Sequence, residues 1–143
     1  MILLDANLLI YAYDGSSPLH DRARPWLEAL FSGSEIVLLP WATILAFLRI
    51  TTNPRAFAAP LTVVEATGIV ASWLEQPVVR QASPGERHFA ILERFLVDGQ
   101  ARGPLVSDAY LAALAVEHGA VLYTSDRDFA RFPGLRHVNP LRE

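Results

Sequence analysis

The 143-residue chain contains no cysteine and no lysine. Without cysteine there is no disulfide, no thiolate zinc site and no cysteine nucleophile, which agrees with a reducing compartment; a cytoplasmic location is expected. All twelve basic residues are arginine. That excludes P-loop phosphate binding, Schiff-base chemistry and pyridoxal catalysis, each of which uses a lysine amine. It also counts against receiver-type phosphotransfer domains, whose strand-end aspartates normally work beside a lysine. No apolar run reaches the roughly 18 residues that a membrane span needs. The opening Met1-Ile2-Leu3-Leu4-Asp5 has neither a basic segment nor a small-residue cleavage site, so no signal peptide and no membrane contact are expected. Charged residues are sparse, at 19% against 52% hydrophobic, which excludes disorder and leaves apolar surface to face a partner. The net charge of −3 gives no global pull toward nucleic acid, so any such contact must be local.

The length suits one domain over residues 1–143, with no internal repeat or linker. Short apolar runs alternate with longer helical patterns. Ile2-Leu3-Leu4 reads as a strand ending at Asp5, followed by a helix that stops at Asp14-Gly15. Ser17-Pro18 opens a helix to about Phe31, which Pro25 is expected to kink or break. Ile36 to Leu39 is a second strand and Trp41 to Thr52 an apolar helix. Thr62-x-x-Glu65 and Ser83-x-x-Glu86 are capping boxes for two more helices, with a strand at Val78-Val79 between them. Asp108 to His118 reads as a helix closed by Gly119, Ala120 to Thr124 as a strand, and Arg136 to Val138 as an edge strand. Such alternation predicts an α/β fold with a mostly parallel sheet covered on both faces.

In open α/β sheets the ligand crevice lies at the carboxyl ends of the strands. Asp5 is expected at one such end, with Asn7 two residues on, and Thr124-Ser125-Asp126-Arg127-Asp128 at another. Asp108 opens a helix after Leu105-Val106-Ser107. Taken singly, each acid also suits a turn or a helix cap. Together they deliver carboxylates from three segments to one rim, where mutual repulsion calls for a cation. Oxygen donors without His or Cys select hard ions, Mg²⁺ or Mn²⁺. His20, His88, His118 and His137 are scattered without metal-ligand spacing, and His118 beside Gly119 suits a helix C-terminus.

At Leu4-Asp5-Ala6-Asn7, Leu48 to Arg55, Ser107-Asp108-Ala109 and Tyr123 to Phe129 the chain resembles the PIN domain, within it the VapC-type ribonuclease toxins of bacterial toxin–antitoxin modules. The resemblance spans essentially the whole chain. It implies a three-layer α/β/α fold with a central sheet of four or five strands, and Mg²⁺- or Mn²⁺-dependent endonucleolytic cleavage of RNA. Asp5, Asp108 and Asp126 match the family's metal-binding and catalytic aspartates, Asp128 a further acid, and Asn7 and Thr124 supporting polar positions. The resemblance also implies a homodimer inhibited by a cognate antitoxin protein.

One departure stands out. Many PIN domains carry a glutamate on the helix after the second strand, where this chain has Ala46, and no Asp or Glu occurs from Ile36 to Val64. Arg49, three residues on, shares that helical face and either braces a carboxylate or binds a phosphate. Asn53-Pro54-Arg55 is a plain surface turn or a weak RNA-backbone contact through Arg55. Trp26, Trp41, Phe47 and Trp73 sit at helical core spacing and read as packing or interface. Two rival functions remain at this level: a PIN-type RNA- or protein-binding module weakened by loss of the glutamate, and a metal-dependent phosphatase using Asp5 as nucleophile.

Overall fold

The computed structural model describes residues 1–142. Its elements run β1 (Ile2–Leu4), α1 (Ala6–Tyr13), α2 (His20–Ser32), β2 (Val37–Leu38), α3 (Trp41–Thr51), α4 (Val63–Leu74), β3 (Val79–Arg80), α5 (His88–Asp98), α6 (Leu105–His118), β4 (Val121–Tyr123), a 3₁₀ turn (Arg127–Arg131) and β5 (His137–Val138). The strands form one five-stranded sheet in the order β3-β2-β1-β4-β5, and every neighbouring pair is parallel.

Two cores follow from the period-two alternation of β1. Ile2 and Leu4 face one side with Val37 and Val79, against α1 through α4, where Leu8, Leu27, Phe47 and Trp73 are buried. Leu3 faces the other side with Leu38 and Leu122, against α5, α6 and the 3₁₀ turn, where Phe95, Leu114 and Phe129 are buried. A strand apolar on both faces must be covered on both, so the three-layer α/β/α arrangement is dictated by these residues.

Chain order places β2 and β3 on one side of β1, and β4 and β5 on the other. The connections therefore diverge at the β1/β4 boundary, and a crevice opens outside the carboxyl ends of those two strands.

Several local expectations change. Helix α2 starts at His20, because the Ser17 hydroxyl accepts Leu19 N–H and holds Ser17 to Leu19 in a turn. Pro25 sits inside α2 without breaking it; Pro25 is exposed, so water can reach the Asp21 carbonyl it deprives, while Ala23 and Leu27 bury the opposite face. The Thr62/Glu65 capping box is present in both directions, but Ser83/Glu86 is not one. Instead the Glu117 carboxylate, at the far end of α6, accepts Gly85 N–H at 2.8 Å and Arg87 N–H at 3.0 Å ahead of α5. A Cβ on Gly85 would lie 2.7 Å from Glu117 Oε2, so a larger residue there would push the carboxylate aside. Helix α6 begins at Leu105, not Asp108, and ends on Gly119 at φ 68°, a left-handed cap suited to glycine.

Of the four aromatic residues assigned to packing or interface, Phe47 and Trp73 are buried, with ring centroids 4.6 Å apart. Trp26 stacks on Tyr123 at 6.1 Å, while Trp41 is 54% exposed. No helix among the described residues is long and apolar enough to cross a membrane.

Candidate metal centre at the sheet switch point

Asp5 is the first residue beyond β1 and caps α1. Its Oδ1 accepts Ala6 N–H at 2.8 Å, and its Oδ2 accepts the Thr124 hydroxyl at 2.7 Å. Thr124 is the first residue beyond β4 and is buried. Its Oγ1 also accepts Asp126 N–H at 3.0 Å and the Asn7 side-chain amide at 3.4 Å. One hydroxyl therefore ties together the exits of β1 and β4. Asn7 adds a long contact from Ser125 N–H to its Oδ1, 3.5 Å.

Asp126 caps the 3₁₀ turn, its Oδ1 accepting Asp128 N–H at 2.8 Å, and buried Phe129 anchors that turn in the core. Capping and site membership are thus compatible: one carboxylate oxygen holds the turn. Asp108 lies in the first turn of α6, where the helix dipole favours a negative charge. Carboxylate oxygens of Asp108, Asp126 and Asp128 lie within 4.8 Å of one another. Asp5 is outside this tightest triplet but near enough to act on it electrostatically.

Burial first, and then the charges of Asp126, Asp5 and Asp128, push the Asp108 carboxyl up to about 6, while Arg131 pulls it down. Asp5 is also raised, chiefly by burial and to a lesser degree by Asp126, against the lowering effect of its bonds to Thr124 and Ala6. Crowded carboxylates that resist ionisation are relieved by a cation. The donors are all carboxylate oxygens, so the cluster can hold a hard divalent ion.

Beside the cluster lies a cavity of about 590 Å³, lined on one side by Asp5, Ser107 and Asp108 and on the other by Ala42, Ala46 and Arg49 of α3. Thr43 sets this wall: its buried hydroxyl donates to the Leu4 carbonyl at 2.8 Å and pins α3 to the end of β1. Ala46 therefore faces the cavity and offers it no carboxylate. Arg49 lines the same cavity, is exposed, and has no acidic partner among the described residues. Arg55 sits on an exposed turn closed by Asn53 Oδ1 and lines neither this cavity nor the cleft beyond Asp126.

Two contributors are not evident from sequence. Thr43 acts through a bond to a residue 39 positions away. Arg131 acts electrostatically on Asp108 while its guanidinium donates to the Gly99 carbonyl at 3.0 Å.

Residues 2–135 match the PIN domain profile. Ribonuclease VapC33 of Mycobacterium tuberculosis is 39% identical over 143 residues, covering 100% of both chains. This chain belongs to the PIN-domain family. Within that family its relatives are VapC-type proteins. Solved PIN structures agree in fold at low identity. VapBC2 from Rickettsia felis, bound to a DNA fragment from its promoter, superposes with a TM-score of 0.70 at 16% identity, covering 97% of this chain and 98% of that one. VapC20 of M. tuberculosis, described as a sarcin-ricin loop cleaving toxin, gives 0.69 at 20% identity, covering 98% and 100%.

Proposed function

We propose that this PIN domain is a metal-dependent endoribonuclease and the toxin of a two-component toxin–antitoxin module. The observation that carries this reading is the meeting of Asp5, Asp108, Asp126 and Asp128 at one switch point, with oxygen donors alone. Asp108, Asp126 and Asp128 would hold Mg²⁺ or Mn²⁺, with Asp5 behind them. The bound ion supplies Lewis acidity for hydrolysis of a phosphodiester. Thr124 and Asn7 keep Asp5 and Asp126 oriented, and Arg49 offers an unpaired cation to substrate phosphate across the cavity.

The partners proposed are RNA, a second copy of the chain and an antitoxin. Support for a protein partner comes from the VapBC form of the Rickettsia relative and from exposed Trp41 and Leu45 on α3, one turn apart and 54% and 59% exposed. An antitoxin arginine placed among the aspartates would imitate the ion's charge.

Incubation with RNA and Mg²⁺ tests the reading. Cleavage that chelator abolishes and Asp126→Asn removes is expected. Ala46, standing where a fourth acid would face the cavity, favours one second reading, a weakened RNA- or protein-binding module. RNA binding without cleavage at any Mg²⁺ or Mn²⁺ concentration would establish that module instead. Release of inorganic phosphate from small monoesters, with RNA untouched, would point to the phosphatase.

A further inference from the structure

A second concavity of about 170 Å³ lies on the opposite side of Asp126 from the α3 wall. It is lined by Thr124, Ser125 and Asp126 of the metal centre and, beyond them, by Arg127, His137, Asn139 and Arg142. We infer that this cleft is a phosphate-binding subsite for the RNA strand, with Arg127 and Arg142 as its two anchoring cations. The inference rests on the ribonuclease reading and extends it to how the strand is held.

The cleft is built from fixed backbone. Thr124 N–H donates to the Val138 carbonyl at 3.0 Å, joining the exit of β4 to that of β5. Past β5, Asn139 Oδ1 accepts Leu141 N–H at 3.0 Å, and Leu141 is buried in the core. Arg22 of α2 donates to the Leu141 carbonyl at 3.1 Å. Arg142 therefore follows an anchored turn, and Arg127 opens the 3₁₀ turn that Asp126 caps. Neither arginine has an acidic partner among the described residues. With Asn139 Oδ1 engaged by backbone, its side-chain amide N–H groups remain as donors.

Electrostatics says why a nuclease needs such a cleft. A polyanion approaching four aspartates is repelled unless cations flank the point of attack, and the net charge of −3 supplies no general attraction. Arg49 flanks the cluster on the α3 side; Arg127 and Arg142 flank it on the β5 side. A strand crossing the cluster would meet a cation before and after the metal centre. Sharing Thr124 and Asp126 with that centre makes the cleft continuous with the reaction site, which favours substrate over a separately docked acidic peptide.

The test uses a fluorescein-labelled pool of random-sequence single-stranded RNA about 20 nucleotides long. Its binding to Asp108→Asn protein, chosen to suppress cleavage, is compared with the same protein carrying Arg127→Gln and Arg142→Gln. Binding should weaken about tenfold, and the slope of log affinity against log salt should fall by about 1.4, the value for two phosphate contacts on single strands. Arg→Lys at both positions should retain the slope, because a point charge suffices for counterion release. In the otherwise native enzyme the Gln pair should raise KM while kcat stays within about twofold. Both residues are exposed, and thermal melting checks folding; each single Gln variant, expected to lose half the slope change, serves where the pair does not fold. Unchanged RNA affinity and salt slope would overturn the subsite even if native protein cleaves RNA. Loss of antitoxin affinity with RNA binding intact would overturn it in favour of a protein contact. Arginine-dependent RNA binding by a protein that cleaves no RNA would uphold the subsite and sink the ribonuclease reading alone.

Discussion

Thr124 donates its hydroxyl to Asp5 Oδ2 across 2.7 Å, joining residues 119 positions apart in the chain. The same oxygen accepts Asp126 N–H. Thr124→Val keeps the shape but leaves Asp5 short of a donor and Asp126 N–H without an acceptor. A stability loss of about 1–3 kcal/mol is expected, with a weaker response to Mg²⁺, whereas Thr124→Ser restores both. Chemical denaturation and a metal titration of cleavage check this. Native metal dependence in the valine variant would show that the hydroxyl does not orient the centre.

The Asp108 carboxyl, pushed up to about 6, gives two opposite pH trends. The folded protein holds a proton there that the unfolded chain, at about 3.8, has released, so stability falls as pH rises toward 6 and the penalty is complete above it. Asp5, also raised, acts in the same direction. Metal-free protein should therefore melt higher near pH 5 than near pH 7. Glu65 and Glu117 are lowered, so their contribution is lost only in more acidic solution. Mg²⁺ affinity should run the other way and rise with pH, because the ion binds the ionised carboxylate. Asp108→Asn should flatten the melting trend and weaken the ion in calorimetry. Unchanged Mg²⁺ affinity would remove Asp108 from the centre.

Ala46→Glu should lower the Mg²⁺ or Mn²⁺ concentration needed for cleavage. Its side chain would enter the cavity that Asp5 and Asp108 line from the other side. An unchanged metal requirement would mean that the α3 wall contributes no ligand position.

Light scattering on the isolated chain should give a dimer mass at micromolar concentration, and added antitoxin should abolish cleavage. A monomer mass across that range would exclude the dimer. Full activity in a saturated complex would exclude inhibition by the partner.

The parallel sheet, its two-sided cover and the Thr62 capping box were legible because each is a local pattern: apolar runs, helical spacing, a box of four residues. The start of α6 was not. Leu105-Val106-Ser107 is a short apolar run that periodicity cannot distinguish from a strand end, and the turn before it decides the matter, with Gly103 at φ 60°. Long-range partners were invisible for a different reason. Glu117 caps the approach to α5 from 32 residues away, and Thr43 pins α3 to a carbonyl on another element, so neither leaves a spacing to read. At the centre, the sequence assembled Asp5, Asp108 and Asp126 and left Asp128 as an additional acid. The structure draws Asp108, Asp126 and Asp128 tightest, because Asp126 and Asp128 sit on one 3₁₀ turn that capping pulls together.

The divergence of the sheet at β1 and β4 also orders events during synthesis. Asp5 leaves the ribosome 119 residues ahead of Thr124, its partner beyond β4. A nascent chain that ends within α5 has the β1 carboxylate and the α3 wall but none of the other three acids. The cluster is completed only when β4 inserts beside β1, so under the ribonuclease reading the chain stays chemically silent until that insertion.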